Sequence, residues 1–298
     1  MKLYRYVKAL EIEEKVVDGK ITRKSIVNKR LKNSLQESKI YFSHPASFND
    51  PLECTIPITI DNYDIYADKY REYIERILSK IIGCPEDETS RNKRIYEAIE
   101  FGIPVENCLI ICFAKSDNNQ LMWSHYADQH QGVCLCYEVP DAKEEWDAQI
   151  KWSDSIAFYM KNFNMDYFGN SVVYQSKRPS LHVADSSLPI EEWTFENDYK
   201  IEDAVFVKPE CWRYEQEWRL GVFLPIGGKA ALAAGINTSS YHAVLPTEWL
   251  KEITFGLRLD RKYSDEIIEI VNGSGYNDVT FRKAKMVHGE FRIISEPY

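Results

Sequence analysis

The residues best placed for chemistry are Glu215, Glu217 and Arg219, spaced two apart in Trp212-Arg213-Tyr214-Glu215-Gln216-Glu217-Trp218-Arg219. In an extended strand that spacing puts the two carboxylates and the guanidinium on one face. Trp218 and Leu220 then fall on the other face, toward a core. Paired carboxylates can move a proton or stabilise positive charge that develops in a transition state. The plainer alternative is a solvated sheet edge blunted by a Glu–Arg pair. Upstream, Arg5 sits in the short aromatic strand Leu3-Tyr4-Arg5-Tyr6-Val7, where it could equally serve as a cross-strand partner for Glu215 or Glu217. Ser43 closes the strand Ile40-Tyr41-Phe42-Ser43, or caps the turn before Pro45. Asn49 and Asp50 lie in a two-proline loop, where side chains of their type bond their own backbone.

Composition narrows the class. The chain has 298 residues, 44% hydrophobic and 13% aromatic, enough for a sizeable core. A net charge of −9 argues against sequence-independent nucleic-acid binding, which needs clustered Lys and Arg. No segment reads as a signal peptide or a membrane span, so a cytoplasmic protein without membrane contact is expected. The seven cysteines are odd in number and lie mostly in apolar runs such as Leu109-Ile110-Ile111-Cys112-Phe113. They read as reduced core thiols, and no Cys/His spacing suggests a metal.

The elements that must position these residues follow from periodicity. Helices are expected over about 25–37, 64–82, 90–100, 117–129, 142–150, 189–206 and 260–271, with a turn at Asp18-Gly19 in a polar stretch. Strands are expected at 108–113, 133–139, 172–175, 241–245 and 252–256, and as a terminal hairpin over 279–294. The strand at 108–113 is apolar without alternation, which reads as buried on both faces. The whole is a single α+β domain over 1–298, with a small helical insertion at 61–104. Leu121-Met122-Trp123-Ser124-His125-Tyr126 packs a helix, with His125 opposite the apolar stripe and able to face a cleft.

Four pieces in order carry a resemblance: Leu3-Tyr4-Arg5-Tyr6; Ile40-Tyr41-Phe42-Ser43 with Phe48-Asn49-Asp50-Pro51-Leu52-Glu53; Leu121 to Asp128 with Gly132-Val133-Cys134; and Trp212 to Arg219. The set resembles the bacterial family catalogued as domain of unknown function 2971, over roughly 1–224. More distantly, the order Arg5, Ser43, Glu215-x-Glu217 resembles ADP-ribosyltransferases of the Arg–Ser–Glu class. Here Tyr41-Phe42-Ser43 replaces the usual Ser-Thr-Ser, and the intervening insertions are long.

That resemblance implies a mostly antiparallel split β-sheet core and NAD as substrate. Glu217 would stabilise the oxocarbenium-like state formed as nicotinamide leaves, while Glu215 orients or deprotonates the acceptor. Arg5 would clamp the pyrophosphate or an adjoining ribose, and Ser43 would fix the nicotinamide ribose. Tyr41 or a tryptophan would stack on nicotinamide, and Asn49 and Asp50 would support the nucleotide. It further implies a toxin or phage-defence effector with a protein or nucleic-acid acceptor and an antitoxin or defence-system partner. Two alternatives stand beside it: a non-catalytic scaffold in which the charged strand pairs internally, and a metal-dependent nuclease using Asp50 and Glu53.

Overall fold

The computed structural model describes residues 1–17, 20–60, 68–81, 87–105, 108–163, 166–183, 194–195, 201–224 and 240–298. The Asp18-Gly19 turn and the start of the helix expected over 189–206 lie outside them; where that stretch is described it forms a short strand, Thr194–Phe195, and a 3-10 helix, Ile201–Val205. The architecture is α+β around an eight-stranded sheet. Its strands are ordered Tyr167–Ser171, Glu217–Phe223, Cys108–Ala114, Lys2–Val7, Val133–Glu138, Leu250–Phe255, Thr280–Met286 and Ile293–Pro297. Neighbours are antiparallel except Leu250–Phe255 and Thr280–Met286, which run parallel. The helix Arg261–Asn272 makes the crossover that a parallel pair requires.

The strand Cys108–Ala114 shows why its sequence is apolar throughout. Leu109, Ile111 and Phe113 enter one core with Leu31 and Leu35 of the helix Lys29–Glu37 and Ile267 of Arg261–Asn272. Cys108 and Ile110 enter a second core with Tyr70, Ile74 and Ile77 of the helix Asp68–Ile81 and Ile95 of Glu88–Phe101. Both faces of the strand are therefore covered.

Beside this strand the sheet opens. Lys2–Val7 pairs with Val133–Glu138 along its whole length, from Lys2↔Glu138 to Val7↔Val133. With Cys108–Ala114 it pairs only at Tyr4↔Ala114. A second stitch lies further along, where Ser43 and Ile110 exchange backbone hydrogen bonds of 2.8 and 2.9 Å. Strand alternation that turns the Ile110 peptide groups toward Ser43 turns those of Cys112 into the gap between the stitches.

Several elements depart from the sequence expectation. The polar stretch after Leu10 is a two-stranded ribbon, Leu10–Val17 with Lys20–Val27. Its hydrophilic character reflects cross-strand charge pairs such as Arg23 Nε to Glu14 at 2.8 Å. The following helix therefore starts at Lys29, capped by the Asn28 side chain accepting from Leu31 N–H. The helix after Asn119 ends at His125, well short of 129. Asp128, Gln129 and His130 adopt φ of 47°, 54° and 71° and carry the chain to Gly132. A Cβ on Gly132 would stand 2.3 Å from the Val7 carbonyl, so only glycine permits that approach. The helix Asp154–Phe163 and the edge strand Tyr167–Ser171 were not expected.

Candidate functional site

The gap in the sheet is a cavity of about 370 Å³, within the ~300–1,000 Å³ typical of small-molecule sites. Arg5, Ser43, Asn49, Glu215 and Glu217 all line it, although they come from three separate parts of the chain. His125 stands exposed on its wall, as its helix position suggested. Tyr41 lines the adjoining cavity instead, where its ring carries the Arg30 guanidinium at 4.9 Å. Asp50 is not among the lining residues. It accepts hydrogen bonds from Trp212 Nε1 at 2.8 Å and from Leu52 N–H at 2.9 Å, which anchors its loop.

The backbone delivers the two glutamates differently from the sequence expectation. Glu215 is not on the strand. It ends the 3-10 helix Glu210–Glu215, Gln216 turns through φ 46°, and the strand begins at Glu217. A left-handed non-glycine residue costs on the order of 1 kcal/mol and is held here by its surroundings. One such support is Asn119 Nδ2 donating to the Tyr214 carbonyl at 2.6 Å. Glu217 and Arg219 do share a strand face, and Trp218 and Leu220 enter the core opposite, as expected.

Both glutamates converge on a residue the sequence reading passed over. Lys208 Nζ lies 2.5 Å from Glu215, 3.2 Å from Glu53 and 3.3 Å from Glu217. Arg219 grips Glu217 through Nε at 2.9 Å and Nη2 at 2.8 Å, and also bonds Glu53 and the Val205 carbonyl. All five side chains are at most 6% exposed. Tyr126 Oη donates to Glu215 at 2.6 Å, and Glu217 N–H donates to Tyr174 Oη at 2.7 Å. With all five groups ionised, three carboxylates against two cations would leave one excess negative charge in this cluster. Lys208 was legible only as the lysine of a Lys-Pro-Glu turn, and nothing in that tripeptide announces its three partners.

Burial sets the electrostatics. It raises the Glu217 pKa, with Lys208 opposing and Glu215 adding to the rise. Burial also works against the charge on Lys208, but Glu217 and Glu215 outweigh it and its pKa goes up. Arg219 is pushed down to about 9 by burial and stays cationic at neutral pH. The Cys112 thiol in the wall is driven well up by burial and by Glu217, which keeps it protonated. Cys54, Cys108, Cys134 and Cys136 are core thiols as expected, whereas Cys211 is exposed.

A pH prediction follows from Glu217. Its folded pKa lies above the ordinary 4.5, so its contribution to stability is complete below that pH. That contribution is lost as pH rises through the folded value. Urea denaturation at stepped pH should show Glu217→Gln with a flatter profile than wild type above about pH 4.5. Parallel profiles would mean that burial does not govern this carboxyl.

Arg5 contrasts with Arg219. Among the described residues it has neither a carboxylate nor a hydrogen-bond partner, although it is largely buried and burial lowers its pKa. The expected cross-strand pair with Glu215 or Glu217 is not made. Register explains this: Glu217 pairs with Ala114 and so shares the face of Tyr4, while Arg5 shares the opposite face with Leu135. The cavity reaches both because it passes through the gap. Among the described residues, no group of His, Cys, Asp or Glu is arranged to hold a metal ion.

Comparison with known proteins adds family context. The model of a family described as "Protein of unknown function (DUF2971)" matches residues 122–220. That stretch holds the His125 helix and the glutamates with Arg219, but neither Arg5 nor Ser43. An uncharacterized protein of Rickettsia conorii is 24% identical over 197 residues, covering 64% of this chain and 26% of its own length. The chain thus spans about a quarter of the curated relative it matches. No solved structure matches. Among the described residues, no helix is long and apolar enough to cross a membrane.

Proposed function

We propose that the chain is an NAD-consuming enzyme of ADP-ribosyltransferase type, which breaks the nicotinamide–ribose bond and passes ADP-ribose to a protein or nucleic-acid acceptor. The observation that carries this reading is the gathering of Arg5, Ser43, Glu215 and Glu217 around one cavity. Departure of nicotinamide develops positive charge at the anomeric carbon. A buried cluster that carries one excess negative charge when all five groups are ionised favours that state over the ground state, and does so without reorganising. Glu217, held by Arg219 and Lys208, is the carboxylate nearest to that role. Glu215, held by Tyr126, would orient the acceptor hydroxyl. Ser43 would position the ribose and Arg5 the phosphates. The Cys112 peptide, turned into the gap, offers one donor and one acceptor, the pair that a carboxamide needs.

A second reading, a non-catalytic binding module, is favoured by one observation: both Glu217 oxygens already accept bonds from Arg219 or Lys208. Nicotinamide release from NAD by the purified chain separates the two. On the enzyme reading, turnover is measurable and Glu217→Gln lowers it by about 10²–10³-fold at retained fold. Wild-type protein without turnover, or turnover that survives the substitution, would remove this mechanism.

A further inference from the structure

Beyond Arg5 lies a second cavity of about 260 Å³, which shares Arg5, Tyr6, Val7 and Tyr126 with the first. Among the described residues its charged lining is entirely cationic: Arg5, Arg30 and Lys8, with no Asp or Glu. Lys8 stands at the rim, 3.8 Å from Asp128. Neither Arg5 nor Arg30 has a carboxylate partner among the described residues, and the Arg5 pKa is lowered by burial and further by the Arg30 guanidinium. The helix Lys29–Glu37 begins here at Asn28, with no acidic residue in its first turn to offset the positive end of its dipole. Tyr41, Tyr137 and Ser34 also line the cavity. Arg5, largely buried and without a carboxylate partner among the described residues, is costly to keep charged unless an anion joins it, and the more exposed Arg30 lines the same hollow.

We infer that this second cavity is an oxyanion site, which holds a phosphoryl or diphosphoryl group between Arg5 and Arg30. Arg30 would be the specific element, because its fork of donors has no hydrogen-bond partner among the described residues while its guanidinium lies 4.9 Å from the Tyr41 ring centre. The same phosphoryl chemistry could arrive in two ways: as part of a nucleotide extending from the first cavity, or as a free anion.

The test is calorimetric titration of the purified chain with inorganic pyrophosphate and, separately, with ADP, using wild type, Arg30→Gln and Arg30→Lys. Arg30 is exposed, so its replacement should leave the fold intact, which thermal unfolding without ligand would verify. Wild type should bind, and Arg30→Gln should bind on the order of tenfold more weakly. Arg30→Lys should fall between them, since a point charge replaces a fork. Tighter binding of ADP than of pyrophosphate identifies a nucleotide phosphate, and the reverse identifies a free anion. Absence of binding to both at roughly 10 mM, or equal binding by Arg30→Gln, overturns the inference. Arg30-dependent pyrophosphate binding by a chain that releases no nicotinamide would leave this site standing while the NAD reading falls.

Discussion

Arg219→Met should lower the free energy of unfolding by about 3–5 kcal/mol, read as a fall in the urea midpoint. Arg219 is fully buried and bonds Glu217, Glu53 and the Val205 carbonyl at once. Methionine fills much of its volume but leaves three carboxylates with Lys208 as their sole cation among the described residues. Adding Glu217→Gln to the variant should recover part of the loss, because it removes one uncompensated charge. A loss below about 1 kcal/mol would show that water reaches the cluster and screens it.

Arg5→Met should give the opposite sign for stability and a large effect on ligand handling. This guanidinium has no partner among the described residues, so replacing it removes an unpaid desolvation cost. We expect stability unchanged or higher by about 1 kcal/mol. Nicotinamide release and pyrophosphate binding should each fall by about a hundredfold, because Arg5 lines both cavities. A residue that weakens the fold while serving a ligand is what a binding site produces. Destabilisation as large as that of Arg219→Met would instead make Arg5 a structural residue.

The sequence carried the fold further than the site. Continuous apolar runs marked Cys108–Ala114 and Val133–Glu138 as buried strands, and helical spacing found Asp68–Ile81, Glu88–Phe101 and Arg261–Asn272. Alternation placed Trp218 and Leu220 in the core. It misplaced Glu215, because a positive φ at Gln216 has no signature in residue type. The ribbon Leu10–Val17 with Lys20–Val27 was opaque for a related reason: a solvated two-stranded ribbon has no buried face to impose a pattern. Arg5, Ser43, Asn49 and the glutamates were singled out and share one cavity. Lys208 was not, since its importance lies in contacts with Glu53, Glu215 and Glu217, and pattern reading does not see contacts.

The helices Asp68–Ile81 and Glu88–Phe101 resemble a detachable insertion in sequence, yet Ile74, Ile77 and Ile95 bury the Cys108 and Ile110 side of the central strand. Cys54 and Val205, which touch Arg219, belong to that same apolar layer. Trimming the helical pair to obtain a minimal sheet would therefore strip one side of the strand that also borders the gap in the sheet, and would flood the ion cluster behind it. The chain should melt as one cooperative unit, and a shortened version should yield aggregate rather than a smaller working protein.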